Sequence, residues 1–367
     1  MVKQYDAIII GSGQGGTPLS IRLAKAGYKT ALVEKKWVGG TCINNGCIPS
    51  KTIIAGARTE QRIAEASRSE MYTTDNYDII FEKVIERKNA VVERFRKGSE
   101  RSVNETEGLD LIYGEATFTQ EKEIEVYTNT GENLQLTAPL IFINTGARPA
   151  IPDIKGIEDI PYLTSTEIME LDKLPEHLLI LGAGYISLEL GQAFRRMGSR
   201  VTIVEAEDNI LAKEDTDVQE EMAEILEKES ITILTNTEVE ELSLSSKNEI
   251  VAHIVKNETK ALITASHILI ATGRKPNTDN IKLSGVAIDE DGYVKVNDRL
   301  ETNVEGTYAI GDVKGGMAFT HVAYNDYRII YSNLVEKKER STANRLIPYC
   351  MFTDPELGRV GMTEAEA

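Results

Sequence analysis

A chain of 367 residues exceeds one ordinary domain and points to two or three. Its 41% hydrophobic content can fill proper cores, yet no apolar run is long enough to cross a bilayer. A formal charge of −17 argues against non-specific nucleic-acid binding, which needs Lys and Arg facing phosphate.

The start runs directly into strand-like Ala7-Ile8-Ile9-Ile10 and lacks the basic-then-apolar layout of a secretion signal, so a cytoplasmic location is expected. After that strand comes Gly11-Ser12-Gly13-Gln14-Gly15-Gly16, then a helix bearing Leu19, Leu23 and Ala24 that stops at Gly27. A second strand, Thr30-Ala31-Leu32-Val33, ends at Glu34. This is the full βαβ dinucleotide fingerprint. Gly11 serves the tight turn, Gly13 lets backbone approach a pyrophosphate, and Gly16 lets helix and strand pack closely. The helix N-terminus offers partial positive charge to phosphate. Glu34 can accept from ribose hydroxyls.

Next in the chain is Gly39-Gly40-Thr41-Cys42-Ile43-Asn44-Asn45-Gly46-Cys47-Ile48-Pro49-Ser50-Lys51. Its two thiols stand at i and i+5. In an unbroken helix their Cα atoms would lie ~8–9 Å apart, whereas a disulfide usually wants less than ~7 Å. The segment is therefore expected to bend, with Gly39, Gly40, Gly46 and Pro49 supplying the freedom and the break. A bent, irregular disulfide is easily reduced, so the pair reads as a redox switch. Only three cysteines occur, which speaks against a structural disulfide framework. Zinc is the rival ligand, but a structural site wants four donors, and His177, His253, His267 and His321 lie at no finger-like spacing. No metal site is assigned.

A second βαβ unit starts at Leu178-Leu179-Ile180-Leu181 and turns through Gly182-Ala183-Gly184-Tyr185-Ile186-Ser187. Its helix ends near Gly198 and its next strand, Val201-Thr202-Ile203-Val204, ends at Glu205. Gly182, Gly198 and Glu205 each lie 171 residues beyond Gly11, Gly27 and Glu34. Turn, helix stop and strand-end acid recur at one offset, as two copies of one architecture require. Ser187 replaces the third glycine and is small enough for close packing. A carboxylate at Glu205 favours a free 2′-hydroxyl over a 2′-phosphate, so NADH is expected in preference to NADPH.

With Asn144-Thr145-Gly146-Ala147-Arg148-Pro149, Ala271-Thr272-Gly273-Arg274-Lys275-Pro276-Asn277 and Thr307-Tyr308-Ala309-Ile310-Gly311-Asp312, these motifs span essentially the whole chain. The sequence resembles the FAD-dependent pyridine nucleotide–disulfide oxidoreductases, the family of lipoamide dehydrogenase, glutathione reductase and mercuric reductase. The resemblance implies an α/β fold with two Rossmann-like domains and the start of an α+β dimerisation domain. Residues 1–149 plus 276–342 would form a discontinuous FAD domain around an NAD(P)H domain at 150–275. Residues 343–367 would open the dimerisation domain. The Thr-Gly pairs at 145–146 and 272–273 would be domain crossings.

The same resemblance implies the site roles. Cys47 is the thiol facing the flavin and Cys42 the interchange thiol that attacks substrate. Lys51 lies near flavin N5 and pairs with Glu189. FAD contacts fall to Gly11, Gly13, Gly16, Glu34, Gly40, Thr41, Lys51, Ala116, Thr145, Gly146, Asp312 and His321. NAD contacts fall to Gly182, Gly184, Tyr185, Ile186, Glu205, Val239 and Gly273, with Tyr185 shielding the flavin face. Cys350 reads as a strand-core residue without chemistry.

The stretch from Ile347 resembles the opening strand of the dimerisation domain, and the chain ends at Ala367 without the His-Pro…Glu motif that supplies an acid/base histidine across the dimer. A fragment of a longer, homodimeric protein is expected. The run Phe319-Thr320-His321-Val322-Ala323-Tyr324-Asn325-Asp326-Tyr327-Arg328 departs from the dihydrolipoyl dehydrogenase pattern. It looks more like mercuric-reductase-like flavoproteins, including the reactive-chlorine-resistance group. The expected enzyme passes electrons from NAD(P)H through FAD to the Cys42–Cys47 pair, then to a small-molecule disulfide, metal ion or oxidant. Dihydrolipoyl dehydrogenase is one alternative; a flavin-containing redox sensor without efficient turnover is another.

Overall fold

A computed structural model describes residues 2–68 and 79–367. The chain forms two compact α/β units. One is built from the chain up to Cys47, Val92–Arg148 and Arg274–Ile347; the other from Ile48–Val91, Pro149–Gly273 and Pro348–Ala367. The helices are α1 (Gly16–Lys25), α2 (Gly40–Asn44), α3 (Cys47–Arg68), α4 (Phe81–Asn104), α5 (Tyr185–Arg196), α6 (Thr216–Lys228) and α7 (Thr320–Leu334).

In the first unit, parallel strands run in the order Leu109–Gln120, Thr30–Glu34, Ala7–Ile10, Leu140–Ile143, Thr307–Ala309. Leu109–Gln120 enters this sheet with its first half. Its second half pairs antiparallel with Glu123–Thr128, which pairs in turn with Asn133–Thr137. Strands Ala7–Ile10 and Leu140–Ile143 are apolar at every position because both faces are covered. Ala7 and Ile9 pack with Leu19 and Leu23 of α1, while Ile8 and Ile10 pack with Phe118, Val126 and Val313 on the opposite face.

The second unit repeats this plan. Its parallel sheet runs Thr232–Leu234, Arg200–Val204, His177–Leu181, His267–Ile270, Tyr162–Leu163, and an antiparallel ribbon follows at Thr237–Leu244, Ile250–Lys256 and Thr259–Ala265. Leu178 and Ile180 face one core and Leu179 and Leu181 the other. Ile53, Ile54 and Ala57 of α3 and Phe81 and Ile85 of α4 join the first of these cores, together with Met351.

Backbone hydrogen bonds carry the 171-residue offset into three dimensions. Gly11 N donates to Val33 O at 2.8 Å and Gly182 N to Val204 O at 2.9 Å. Gly27 and Gly198 end their helices with φ of +91° and +113°, where a side chain would be strained. Tyr28 N then closes on Leu23 O as Ser199 N does on Phe194 O.

The hairpin of Tyr349–Met351 and Leu357–Arg359 belongs to the second unit. Gln192 exchanges two hydrogen bonds with the backbone of Asp354. Arg196, 5% exposed, bridges Glu229 and Asp354. Glu229 takes the guanidinium bidentately through Nε and Nη2, and Asp354 accepts from Nη1, so its N–H donors find partners on both sides. Among the described residues, no helix is long and apolar enough to cross a membrane.

Candidate active site

The strand–turn–helix of the first unit is fixed by close backbone approach. Gly11 has φ +99°, and a Cβ there would lie 2.3 Å from Asn144 O. A Cβ on Gly16 would meet Gly11 O at 2.1 Å, and one on Gly40 would meet Gly13 Cα at 2.6 Å. Asn144, at the end of Leu140–Ile143, donates from Nδ2 to Gly11 O at 2.8 Å and so locks the turn to the neighbouring strand. Glu34 accepts from Ser12 N and Ser12 Oγ through Oε2, and from Lys36 N through Oε1. A carboxylate offers about four lone-pair sites, so Oε1 keeps capacity for a further donor.

Glu205 in the second unit repeats this arrangement, accepting from Ala183 N at 2.6 Å and Glu207 N at 3.1 Å. Gly182 has φ +94°, and its Cβ would meet Ala271 O at 2.6 Å. Gly184 differs: its backbone is extended and a Cβ would meet nothing within 4 Å. Tyr185 and Ile186 open α5, and both pack against the core of that unit. Ser187 is fully buried and its Oγ has no hydrogen-bond partner. Val239 sits at an irregularity in the Thr237–Leu244 pairing. Gly273 has φ +143° and open space beside it.

These glycine contrasts separate folding from binding. Gly184→Ala adds a methyl that touches no protein atom and needs no unusual φ, so stability stays within about 0.5 kcal/mol. If a dinucleotide pyrophosphate closes on this turn, the same methyl weakens NADH binding at least about tenfold. Denaturant melts beside NADH titration read both, and unchanged NADH affinity would remove Gly184 from the nucleotide site.

The thiol segment is bent, and the bend has a physical origin. Gly39 (φ +107°) leads into the five-residue α2, which carries Cys42 half-buried. Asn45 leaves the helical region with φ −150°, ψ 32°. At Gly46 a Cβ would stand 2.8 Å from Thr41 O, so the chain can double back only with glycine there. Helix α3 then begins at Cys47, which is exposed. Pro49 does not make the break expected from the sequence. It lies in the first turn of α3, where a missing N–H leaves no helical bond unmade. Thr41 is exposed and its carbonyl accepts from Asn45 N.

Asn44, between the thiols and buried, holds this loop in shape. Its Nδ2 donates to Val38 O and Gly40 O at 3.1 and 3.0 Å, and its Oδ1 accepts from Arg96 Nε of α4 at 2.7 Å. The Arg96 guanidinium also stacks over Trp37 at 4.2 Å. Cys47 Sγ lies 3.3 Å from Thr320 Oγ1, the first residue of α7.

Lys51 follows Cys47 by one turn of α3. Its Nζ is 2.6 Å from Glu189 Oε2 on α5 and 4.7 Å above the Phe352 ring. Glu189 is 4% exposed and also accepts from Phe352 N at 2.8 Å. Cys350 is half-buried rather than a core residue, because its two-stranded hairpin covers it incompletely. Burial, with the fields of Glu356 and Glu189, pushes its thiol pKa up and away from reactivity.

Gly311 (φ +69°) and Asp312 form a short 3-10 turn after Thr307–Ala309. Burial pushes the Asp312 carboxyl pKa up, opposed by Arg274, whose Nη2 lies 3.9 Å away. Thr145 Oγ1 is buried without a hydrogen-bond partner, and Gly146 beside it has φ +69° and open space. Ala116 is half-buried opposite Val126 in its strand pair. His321 is exposed and stacks on Phe319 at 5.5 Å.

Sequence reading missed Asn44, Arg96, Asn144, Thr320 and Asp326. Asp326 is fully buried and accepts from Gly311 N at 2.9 Å and Arg345 Nη1 at 2.6 Å, with Lys314 Nζ at 3.4 Å. A signal existed for this one. Position 326 falls on the buried stripe of α7 that includes Val322, Ala323, Ile329 and Ile330, and an acid on an apolar stripe implies partners.

The profile of the pyridine nucleotide-disulphide oxidoreductase family matches residues 5–326. The chain belongs to that family. The oxidoreductase is 38% identical over 372 residues to the probable pyridine nucleotide-disulfide oxidoreductase RclA of Escherichia coli K12, covering 100% of this chain and 79% of that protein. It is 34% identical to a Staphylococcus aureus mercuric reductase, covering 99% of this chain and 65% of that protein. A solved structure described as the Cu(II) complex of the HOCl-induced flavoprotein disulfide reductase RclA from E. coli superposes with a TM-score of 0.90 at 37% identity. It covers 99% of this chain and 78% of that one. The family is FAD-dependent and uses a pyridine nucleotide, so the chain is a flavoprotein oxidoreductase with Rossmann-like units.

Proposed function

We propose that this flavoprotein takes two electrons from NADH and delivers them through the Cys42–Cys47 pair to a small-molecule disulfide, metal ion or oxidant, most like the mercuric-reductase and RclA relatives. The observation that carries this reading is Cys47. It is exposed at the first residue of α3, within hydrogen-bond distance of a hydroxyl, and linked by a glycine-dependent bend to the half-buried Cys42. A helix N-terminus places partial positive charge beside the sulfur and favours its anion.

The residues present suit FAD in the first unit. Glycines 11, 13, 16 and 40 let strand, turn and helix approach at backbone distance and so shape the turn that would hold a pyrophosphate, and Thr145 Oγ1 is a buried hydroxyl without a protein partner. Glu34 and Asp312 would serve as hydroxyl acceptors, with Gly146, Thr41, Ala116 and His321 lining the same ligand. Bound FAD supplies two-electron chemistry between nicotinamide and thiols. Cys42, less buried by its short helix than a core thiol, would attack the acceptor, while Lys51 held by Glu189 would keep a positive charge at the electron-accepting side.

In the second unit Gly182, Gly184, Tyr185, Ile186, Val239 and Gly273 would line NAD(H). Glu205 favours NADH over NADPH, since its carboxylate is fixed by two backbone N–H groups and cannot swing from a 2′-phosphate. The full-length protein is proposed to act as a cytoplasmic homodimer.

Anaerobic titration of the full-length protein tests the reading. NADH produces a long-wavelength thiolate-to-flavin absorbance, and NADPH does so only at about tenfold or higher concentration, the discrimination expected of one well-placed charge. Steady consumption of NADH with an acceptor separates an enzyme from a sensor. No such absorbance from either nucleotide would overturn the proposal.

A further inference from the structure

Thr320 and Cys47 stand 273 residues apart in sequence and 3.3 Å apart in space. We propose that Thr320 is a positioning residue for the Cys47 thiolate: its hydroxyl donates to that sulfur in the reduced protein and sets how readily the pair is reduced. This inference rests on the redox role proposed above for the two cysteines.

The argument begins with hydrogen count. Two electrons from a reduced pyridine nucleotide and one proton break a Cys42–Cys47 bond and leave one thiol and one thiolate. A thiolate has no hydrogen to give, so in the Cys47–Thr320 contact only the hydroxyl can donate. Bonds to an ionised acceptor are roughly twice as strong as neutral ones. In the disulfide state the same sulfur is a weak acceptor. The contact therefore strengthens on reduction, and a contact that differs between two states shifts their equilibrium.

The fold holds the hydroxyl in place from two sides. Thr320 opens α7, whose first turn is closed by Val322 N and Ala323 N donating to Phe319 O. Six residues further, buried Asp326 accepts from Gly311 N and is neutralised by Arg345 and Lys314. This anchor prevents α7 from sliding along its axis against the Gly311–Asp312 turn. The β-branch at Thr320 then limits χ1, so the oxygen keeps its direction. On the other side, α2 and the Asn44–Arg96 bond fix the loop that delivers Cys47.

The test uses full-length protein equilibrated in glutathione redox buffers, with the Cys42–Cys47 state trapped by alkylation and read by peptide mass spectrometry. This readout needs neither turnover nor flavin absorbance. Thr320→Val, nearly isosteric but without a donor, shifts the equilibrium about tenfold toward the disulfide, the size of one hydrogen bond to a charged group; that equals about 30 mV for a two-electron couple. Thr320→Ser keeps the donor and returns the equilibrium to within about twofold of wild type, a factor well inside the worth of one such bond. Thr320→Ala shifts it in the same direction as Val, which guards against a packing effect of one variant. A reducible pair that ignores loss of the hydroxyl overturns this inference alone. A pair that never forms a disulfide in any buffer overturns the redox reading and this inference with it.

Discussion

Cys47→Ser in the full-length protein abolishes the long-wavelength absorbance that NADH elicits and lowers disulfide turnover by at least about a thousandfold, since Cys42 is left with no sulfur to bond and losing one member of a group that acts as a unit removes about three or more powers of ten. A serine hydroxyl is not ionised near neutral pH, so no anion remains at the start of α3 beside Thr320. Cys42→Ser is the informative partner. It leaves Cys47 without a sulfur to bond, so the thiolate and its absorbance are present before NADH is added while turnover is lost. Stopped-flow spectra and steady-state rates distinguish the two. Retained absorbance in Cys47→Ser would mean that the thiol facing the flavin had been misassigned.

Gly11→Ala destabilises the first unit by about 2–5 kcal/mol. The left-handed φ of +99° costs about 1–2 kcal/mol for any side chain. Placing a Cβ 2.3 Å from Asn144 O adds an overpacking cost of about 1–3 kcal/mol, and no rotamer can relieve it because both atoms belong to backbone-fixed positions. Domains have only about 5–15 kcal/mol in total, so the urea midpoint of the first unit falls steeply and FAD is lost with it. A loss below about 1 kcal/mol would show that the turn relaxes away from the neighbouring strand, and the close approach described for Gly11 would then be wrong.

The two βαβ units were legible because their signals are local. Apolar runs buried on both faces, glycines forced by positive φ or backbone contact, and strand-end acids all lie within about thirty residues of one another in each copy. The bend between the thiols was legible for the same reason, although its agent was Gly46 against Thr41 O rather than Pro49. The grouping of the chain was harder to read. Helices α3 and α4 leave the first nucleotide strand pair by sequence, yet Ile53, Phe81 and Ile85 bury their side chains with Leu188 and Phe194, far along the chain.

The sequence by itself determined the repeated nucleotide-binding frame, the family and the thiol pair, since each is written in short-range pattern. Only the tertiary structure decided that Thr320 meets Cys47, that Asp326 pins the Gly311–Asp312 turn, that Arg96 holds Asn44, and that Asn144 locks Gly11. Those contacts join residues 15 to 273 positions apart. Hydrogen bonding is directional and short-ranged, so such partners become specific only after packing has brought their strands and helices into register.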